Sequence, residues 1–473
     1  MQTMQTRGAA TPLQDNPKIQ PSPISAENMA AAILNPPLGE VMDFNLRIGL
    51  RYAGQLAFSW PKGWWWALTT EYPKPVSDDE LAFLLTRTAM ARAVVPQLDK
   101  SDESSFAPFL KNEPGISYWK ADFSGLAGLP LLPGCYAAPT VTLIEVSAQG
   151  DAKILAIKIN DLVVTPGDGH AWELTKYFVM QGLSQHMVTC HHIPIHFPND
   201  AINASMKRFL PETHPIRRLL TPHFRFSLPL SNSALHSQAS VLYQHQVFPY
   251  TGYAFTGDGI LQLVQKGFGG IPGNSAYRRY SFNAHAHEDV VGDYGKFLGL
   301  YHGVIRKWVG QVVEHVDVNE PQLRGWLDEC AQWVLGFPGS DLVTERSQLA
   351  DIVAYVLLNI SVMHAAEHYD IGVYDVAKLP HRLRIPPPAS RDIPAFDRSK
   401  LATKLDAFKH WMSWNMFYRE VTETKFIDVR YGFAEADLQA AEERYKRELR
   451  ELDATMTIRK TIPLERISAS IQF

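Results

Sequence analysis

The segment QHMVTCHHIPIHF, Gln185–Phe197, places His186, His191 and His196 at successive intervals of five. Four of the chain's 17 histidines, His192 included, fall within it. In a regular α-helix five residues turn the chain by roughly 500°, so successive members of such a series point about 140° apart. A locally widened turn with π-type i→i+5 bonding brings residues five apart onto one face, and such turns gather at functional sites. The segment therefore predicts a helix with a π-type interruption. Its imidazole pattern suits an ion better than a core. A second pair, His364 and His368 in SVMHAAEHYDIG, stands four apart on one face of an ordinary helix. Ala365 and Ala366 between them let another helix come close. One H-x4-H and one H-x3-H pair offer four imidazoles to one ion, and imidazole-rich ligation without thiolates suits iron, manganese, copper or zinc. Residue patterns alone lead this far, to a helical metalloprotein.

Composition narrows the class. Hydrophobic residues make up 46% of the 473 and charged residues 20%, enough apolar material for a large core. Lys plus Arg number 45 against 49 Asp plus Glu, a net charge of −4 that gives no basic face for nucleic acid. Three cysteines, Cys135, Cys190 and Cys330, are too few for a disulfide framework and fit a reducing compartment. No run approaches the 18 or so consecutive apolar residues of a membrane span, so no stable membrane insertion is expected. The N-terminus has no apolar signal region, and the expected location is cytoplasmic. WPKGWWWAL (Trp60–Leu68) is aromatic but short, and reads as a core or interdomain anchor before a membrane contact.

Along the chain, residues 1–25 are rich in Gln, Pro and Ser and read as a disordered leader, with one domain over 26–473. Residues 26–95 read as helical. In SDDELAFLLTRTAMARAVV, Ser77 offers an N-cap and acids fill the first turn. PTVTLIEVSAQGDAKILAIKIN (Pro139–Asn160) alternates β-formers around a Gly-Asp turn and predicts a hairpin. After Trp172 the chain reads as helical, broken by Pro-rich loops at FPNDA, PETHP and RIPPPAS. FAEADLQAAEERYKRELRELD (Phe433–Asp453) is a charged helix with a solvated face. The sum is a mainly α fold with one or two small β hairpins.

Several segments, in one order and spacing, resemble the lipoxygenase family. HMVTCHHIPIH resembles its first metal helix and THPIRRLLTPHFRFSL (Thr213–Leu228) its HP-x3-LL-x-PH segment. FTGDGILQLVQKG (Phe255–Gly267) resembles a Gly-rich stretch of the animal branch, and GFPGSDLVTERSQLADIVAYVLLNISVMHAAEHYDIG the second metal helix and its approach. RIPPP and the closing RISASIQF also match, as do CYAAPTVTLIEV and AWELTK upstream. The resemblance covers roughly residues 110–473, and 26–110 loosely. It implies a large helical lipoxygenase catalytic domain without the N-terminal β-sandwich that many relatives use for membrane contact.

Carried over by position, the resemblance makes His186, His191 and His364 metal ligands, with His368 at the fourth position and the C-terminal carboxylate of Phe473 as the fifth ligand. His196 becomes a packed residue supporting those ligands, and His192 a bystander. The implied cofactor is one non-heme iron ion, with manganese possible. The implied reaction inserts O2 into a cis,cis-1,4-diene of a polyunsaturated fatty acid to give a hydroperoxide. Departures from the pattern bear on substrate. Ala234 stands where a small residue sorts product chirality and would favour S. Gln238 replaces a Leu that shields the diene, and a polar group there needs a hydrogen-bonding partner. Ile371 replaces a Gln that supports the ligands, and Phe473 a terminal Ile or Val. Two alternatives follow: an oxidase of the same fold acting on a more polar metabolite, or a binding protein that keeps the fold without turnover.

Overall fold

The computed structural model describes residues 17–21, 31–236, 252–417 and 424–471. Strands β1 (Lys18–Pro21) and β2 (Ala31–Leu34) pair antiparallel, with Ile19 opposite Ile33. Part of the expected disordered leader is therefore a strand. Ile33 is buried against Ala204 and Leu228, with Ile19 packed on the same cluster, and this burial outweighs the polar composition nearby. The rest of the leader, 1–16 and 22–25, lies outside the described residues. Then come α1 (Leu38–Phe44), α2 (Leu50–Phe58) and α3 (Trp60–Thr69), with a π-helical turn, Asn45–Gly49, between the first two. α4 (Asp78–Arg87) starts as its sequence predicts: the Ser77 hydroxyl accepts the Glu80 N–H at 3.1 Å, and Asp78, Asp79 and Glu80 occupy its positive end.

The sheet is larger than expected. Beyond α5 (Lys100–Phe106), the predicted hairpin is β5 (Thr140–Ser147) with β6 (Ala152–Ile159), but it sits inside a five-stranded antiparallel sheet. The strand order is β3 (Val94–Val95), β4 (Ile116–Asp122), β5, β6, β7 (Leu162–Val164). β4 meets β5 along its whole length, Ile116 opposite Ser147 through Asp122 opposite Val141, yet no tight turn joins them. That pairing is non-local, so hairpin signals miss it. β4 also carries Lys120 into the interior. Its Nζ donates to Asp99 at 2.6 Å, Asp102 at 2.5 Å and Asp122 at 3.1 Å, a buried cation matched by three carboxylates.

The helical part follows: α6 (Gly169–His186), a π turn (Met187–His192) and α7 (Ile193–Phe209) run on without a break. FPNDA was expected to be a loop, but Pro198 lies inside α7. A proline there costs about 3 kcal/mol. The segment from Pro194 to Lys207 is buried throughout, and Asn199 Nδ2 donates to the Ile195 carbonyl at 2.7 Å, which offsets the loss. PETHP is the expected loop before α8 (Pro215–Leu220). α9 (Ser227–His236), α10 (Gly257–Gly269), α11 (Gly292–Val313) and α12 (Pro321–Trp333) come next. Then α13 (Arg346–Leu358), a third π turn (Asn359–Met363) and α14 (His364–Val373) form another unbroken helix. This 28-residue helix contains an 18-residue window, of mean hydropathy 1.7, apolar enough to cross a membrane. Of its apolar window, 94% is buried inside the protein, where it serves as a core helix. α15 (Lys404–Phe417) and α16 (Ala436–Thr455) complete the order.

α13 packs on α11 and α7 on α12, within one core that includes Trp308, Trp326, Tyr294 and Tyr301. α16 presents Leu438, Ala441, Tyr445 and Leu449 inward, Tyr445 stacking on Trp308 at 5.5 Å, and keeps its charged side toward solvent as expected. Where this core meets the sheet's own apolar cluster, the two π-interrupted helices run. The Lys120 arrangement supplies a test of how the sheet side is held. Lys120→Met leaves three buried or half-buried carboxylates without their cation, and urea denaturation should show a loss of about 3–5 kcal/mol. A loss under about 1 kcal/mol would mean the cluster is solvated and contributes little.

Candidate metal centre

The π turns Met187–His192 and Asn359–Met363 are where the site begins. Widening a helix displaces carbonyls from their usual i+4 partners, and side-chain hydroxyls fill in. Thr189 Oγ1 donates to the Gln185 carbonyl at 2.7 Å, and Ser361 Oγ donates to that of Leu357. Each turn lies immediately beside a histidine pair: Met187–His192 ends on His192, with His196 one turn on, and Asn359–Met363 is followed at once by His364 and then His368.

His192, His196, His364 and His368 meet. Their Nε2 atoms are 3.0 Å apart between His192 and His196, 3.2 Å between His196 and His364, and 2.9 Å between His192 and His368. All four atoms lie within 4.8 Å of one another. An ion about 2.1 Å from each nitrogen sets ligands at right angles about 3.0 Å apart and tetrahedral ones about 3.4 Å apart. The observed spacing therefore fits four ligands at right-angled positions of one ion, with further positions open, as suits iron or manganese. Burial, with the neighbouring imidazoles adding to it, holds His196, His364 and His368 well below the ordinary histidine range. They are neutral, the form that binds a metal.

His186 and His191 were expected in this cluster. The geometry places them elsewhere. The π turn does bring them onto one face, as their spacing predicts, with Nε2 atoms 3.0 Å apart. That pair is completed by Tyr277, whose hydroxyl lies 3.0 Å from His186 Nδ1, and not by His364 or His368. It lines a half-polar cavity of about 660 Å³ together with Arg92, Cys190, Tyr277 and Asn359. The expected bystander, His192, and the expected support, His196, stand in the ligand cluster instead. The reason is rotational: His192 ends the π turn and His196 follows one turn later, so the two share the face that meets α14. The signal available in the sequence was the second H-x3-H spacing, His192 to His196, which repeats that of His364 to His368.

Glu367 is the functional residue that sequence reasoning missed. It is buried on α14 between the two histidines, with Oε2 3.4 Å from His192 Nδ1, and it forms an ion pair with Arg92 from the 3-10 segment Ala89–Ala93. Burial opposes its ionisation, but Arg92 and His192 outweigh burial and hold the carboxyl below its usual range. When His192 Nδ1–H donates to that carboxylate, Nε2 keeps its lone pair for an ion. His364 and His368 flank Glu367 in the stretch HAAEH, so the carboxylate lay in view in the sequence.

The other expected residues spread out. Ile371, one turn beyond His368, lines a narrow apolar cavity with Met90, Leu183, Met187, Val188 and Leu379, where His381, His410 and Trp414 also face. Ala234 is half-buried on α9 against the sheet-side apolar cluster. Gln238 and Phe473 lie outside the described residues. The segment leading to Phe473 is nonetheless fixed. His223 Nδ1–H donates to the Ala469 carbonyl at 2.7 Å, and the His223 carbonyl accepts the Ile471 N–H at 3.0 Å.

This geometry separates the two histidine pairs experimentally. His192→Ala or His196→Ala should weaken iron or manganese uptake by at least about 100-fold, and Glu367→Gln by about 10–100-fold. His186→Ala should retain full loading in metal analysis of the purified protein. Full loading of His192→Ala with an empty His186→Ala would return the site to the expected pair.

The family model for lipoxygenases matches residues 144–242, the stretch that contains the π turn Met187–His192 and its histidines. An epidermal-type polyunsaturated fatty acid (12S)/(13S)-lipoxygenase from Rattus norvegicus is 24% identical over 75% of this chain and 58% of its own length. A putative linoleate 9S-lipoxygenase 3 from Oryza sativa subsp. japonica is 26% identical over 53% of this chain and 31% of its own. The chain thus spans little more than half the length of the epidermal-type relatives, 58% of the rat and 54% of the mouse protein. Among solved structures, a lipoxygenase in complex with arachidonate superposes with a TM-score of 0.76 at 15% identity, over 97% of this chain and 80% of the other. The manganese lipoxygenase of Gaeumannomyces graminis superposes with a TM-score of 0.69 at 16% identity, over 97% and 96%. The fold of the described residues is that of lipoxygenases, and the matched family model and relatives support reading the chain as a divergent lipoxygenase-family catalytic domain.

Proposed function

We propose that the protein is a non-heme metal dioxygenase, an oxidoreductase that inserts O2 into a cis,cis-1,4-diene of a polyunsaturated fatty acid or a related apolar chain. The observation that carries this reading is the convergence of His192, His196, His364 and His368 Nε2 atoms at right-angled spacings between two π-interrupted helices. Bound there, iron or manganese supplies one-electron chemistry toward a doubly allylic C–H bond. The chain's own residues do the rest. Glu367 fixes the orientation of His192, and Arg92 balances the charge of Glu367, so the carboxylate that orients the imidazole is not left buried without a counter-charge. Met90, Leu183, Met187, Val188, Ile371 and Leu379 form a water-poor apolar wall beside the same helices. The Phe473 carboxylate is proposed as a further ligand, supported by the positions the four imidazoles leave open and by the His223 clasp two residues before it.

Oxygen uptake by metal-loaded protein given linoleic or arachidonic acid, with conjugated-diene absorbance followed in the same cuvette, tests the reading. Uptake with matching diene formation is expected, and it should vanish in His364→Ala. Silence from protein shown to carry its metal would reject the fatty-acid substrate. Uptake that persisted in His364→Ala would reject the centre.

A further inference from the structure

Helices α1 to α3 carry large apolar side chains on two sides. The inward side is partnered: Phe44 and Ile48 pack on Phe226, and Trp64, Trp66 and Ala67 pack on α15, Trp64 stacking on Phe408 at 4.5 Å. The outward side has no such partner among the described residues. Leu38, Met42, Leu46, Leu50, Phe58, Trp65 and Leu68 are each between 56% and 81% exposed. Their spacing makes one stripe. Positions 38, 42, 46 and 50 step by four, Gly54 and then Phe58 continue the step, and Trp65 and Leu68 follow at seven and three. A step of four drifts about 40° per turn on an α-helix. The π turn Asn45–Gly49 has a wider turn and counters that drift in the middle of the run. Scattered surface hydrophobes need no explanation, but an aligned array of this length marks an interface.

We propose that this stripe docks on a lipid bilayer containing anionic lipid, with α1–α3 lying in the plane of the interface. The residue types are those of an interfacial helix: Trp, Phe, Leu and Met outward, with little charge. Both carboxylates on these helices are already in ion pairs, Glu40 with Lys207 and Asp43 with Arg47 and Arg225. Lys62, between Phe58 and Trp65 on the stripe, is exposed and has no ion pair among the described residues. The surface therefore offers apolar area and a cation, and no unbalanced carboxylate to oppose an anionic headgroup. The placement also connects with the site. The buried side of α3 rests on α15, and α15 carries His410 and Trp414 to the apolar cavity beside Ile371. A bilayer held on the outer side would bring apolar substrate to that side of the molecule. This last link rests on the proposed function; the docking itself does not.

Co-sedimentation with vesicles of phosphatidylcholine, with and without a minority of phosphatidylglycerol and with no substrate present, tests the docking apart from catalysis. The protein should sediment, more so with phosphatidylglycerol. The double variant Phe58→Asp, Trp65→Asp should lose vesicle binding by about tenfold or more while keeping its metal content and its unfolding midpoint. Phe58→Leu, Trp65→Phe should still bind, as should Leu342→Asp, a change at an exposed leucine away from the stripe. Wild-type protein that stays in the supernatant with both vesicles would overturn the proposal. So would a double Asp variant that sediments like wild type, or a wild-type dimer that the double variant abolishes without vesicle binding, which would make a second copy the occupant.

Discussion

Four imidazole nitrogens with neighbours about 3 Å apart form a cage suited to a cation, and the helices that carry them are shaped around it. Each of the two long helices is widened by a π turn at its histidine pair, and the carbonyls freed by widening take the hydroxyls of Thr189 and Ser361. Neither widening would persist alone, because an α-helical register makes better hydrogen bonds. Both are held by burial. The apolar window of the second helix is 94% inside the protein, and α7 is buried along nearly its full length even through Pro198. The core on one side and the sheet-side cluster on the other act as a clamp, and what they clamp is the ligand spacing.

Charge is arranged with equal economy around the centre. The one carboxylate set between the two α14 histidines is matched by Arg92, which comes from the segment linking α4 to the sheet. Asp370, one turn further on, is pushed by burial up to about 6 and accepts the Ala89 N–H at 2.5 Å, tying the same segment to α14 a second time. The 3-10 segment Ala89–Ala93 thus joins the N-terminal helices to the metal helix through Ala89 and Arg92. That connection explains why a chain with a helical N-terminal region and a small sheet still builds one core around the histidines.

The helical character, the Ser77 cap, the β5–β6 hairpin and the outward face of α16 were legible in the sequence because each depends on local spacing. The five-stranded sheet was not, since β4 reaches β5 without a turn between them. The strand at Lys18–Pro21 was not, since its stability comes from distant Ala204 and Leu228. Pro198 misled for a related reason: a local penalty was outweighed by burial that only the tertiary structure supplies. At the site, the π turn was legible from the five-residue spacing of His186 and His191, and the turn is there. Which histidines it would deliver to α14 was not legible. That choice depends on the rotational offset across the turn and on how close α14 lies, neither of which spacing within one helix can reveal. The second H-x3-H pair and the Glu in HAAEH were present as weaker cues.

Anomalous diffraction at the metal absorption edge of iron- or manganese-loaded crystals would locate the ion proposed among His192, His196, His364 and His368. A single anomalous peak about 2.1 Å from the four Nε2 atoms is expected. A peak between His186 and His191, beside Tyr277, would put the metal at the other pair and rule this centre out.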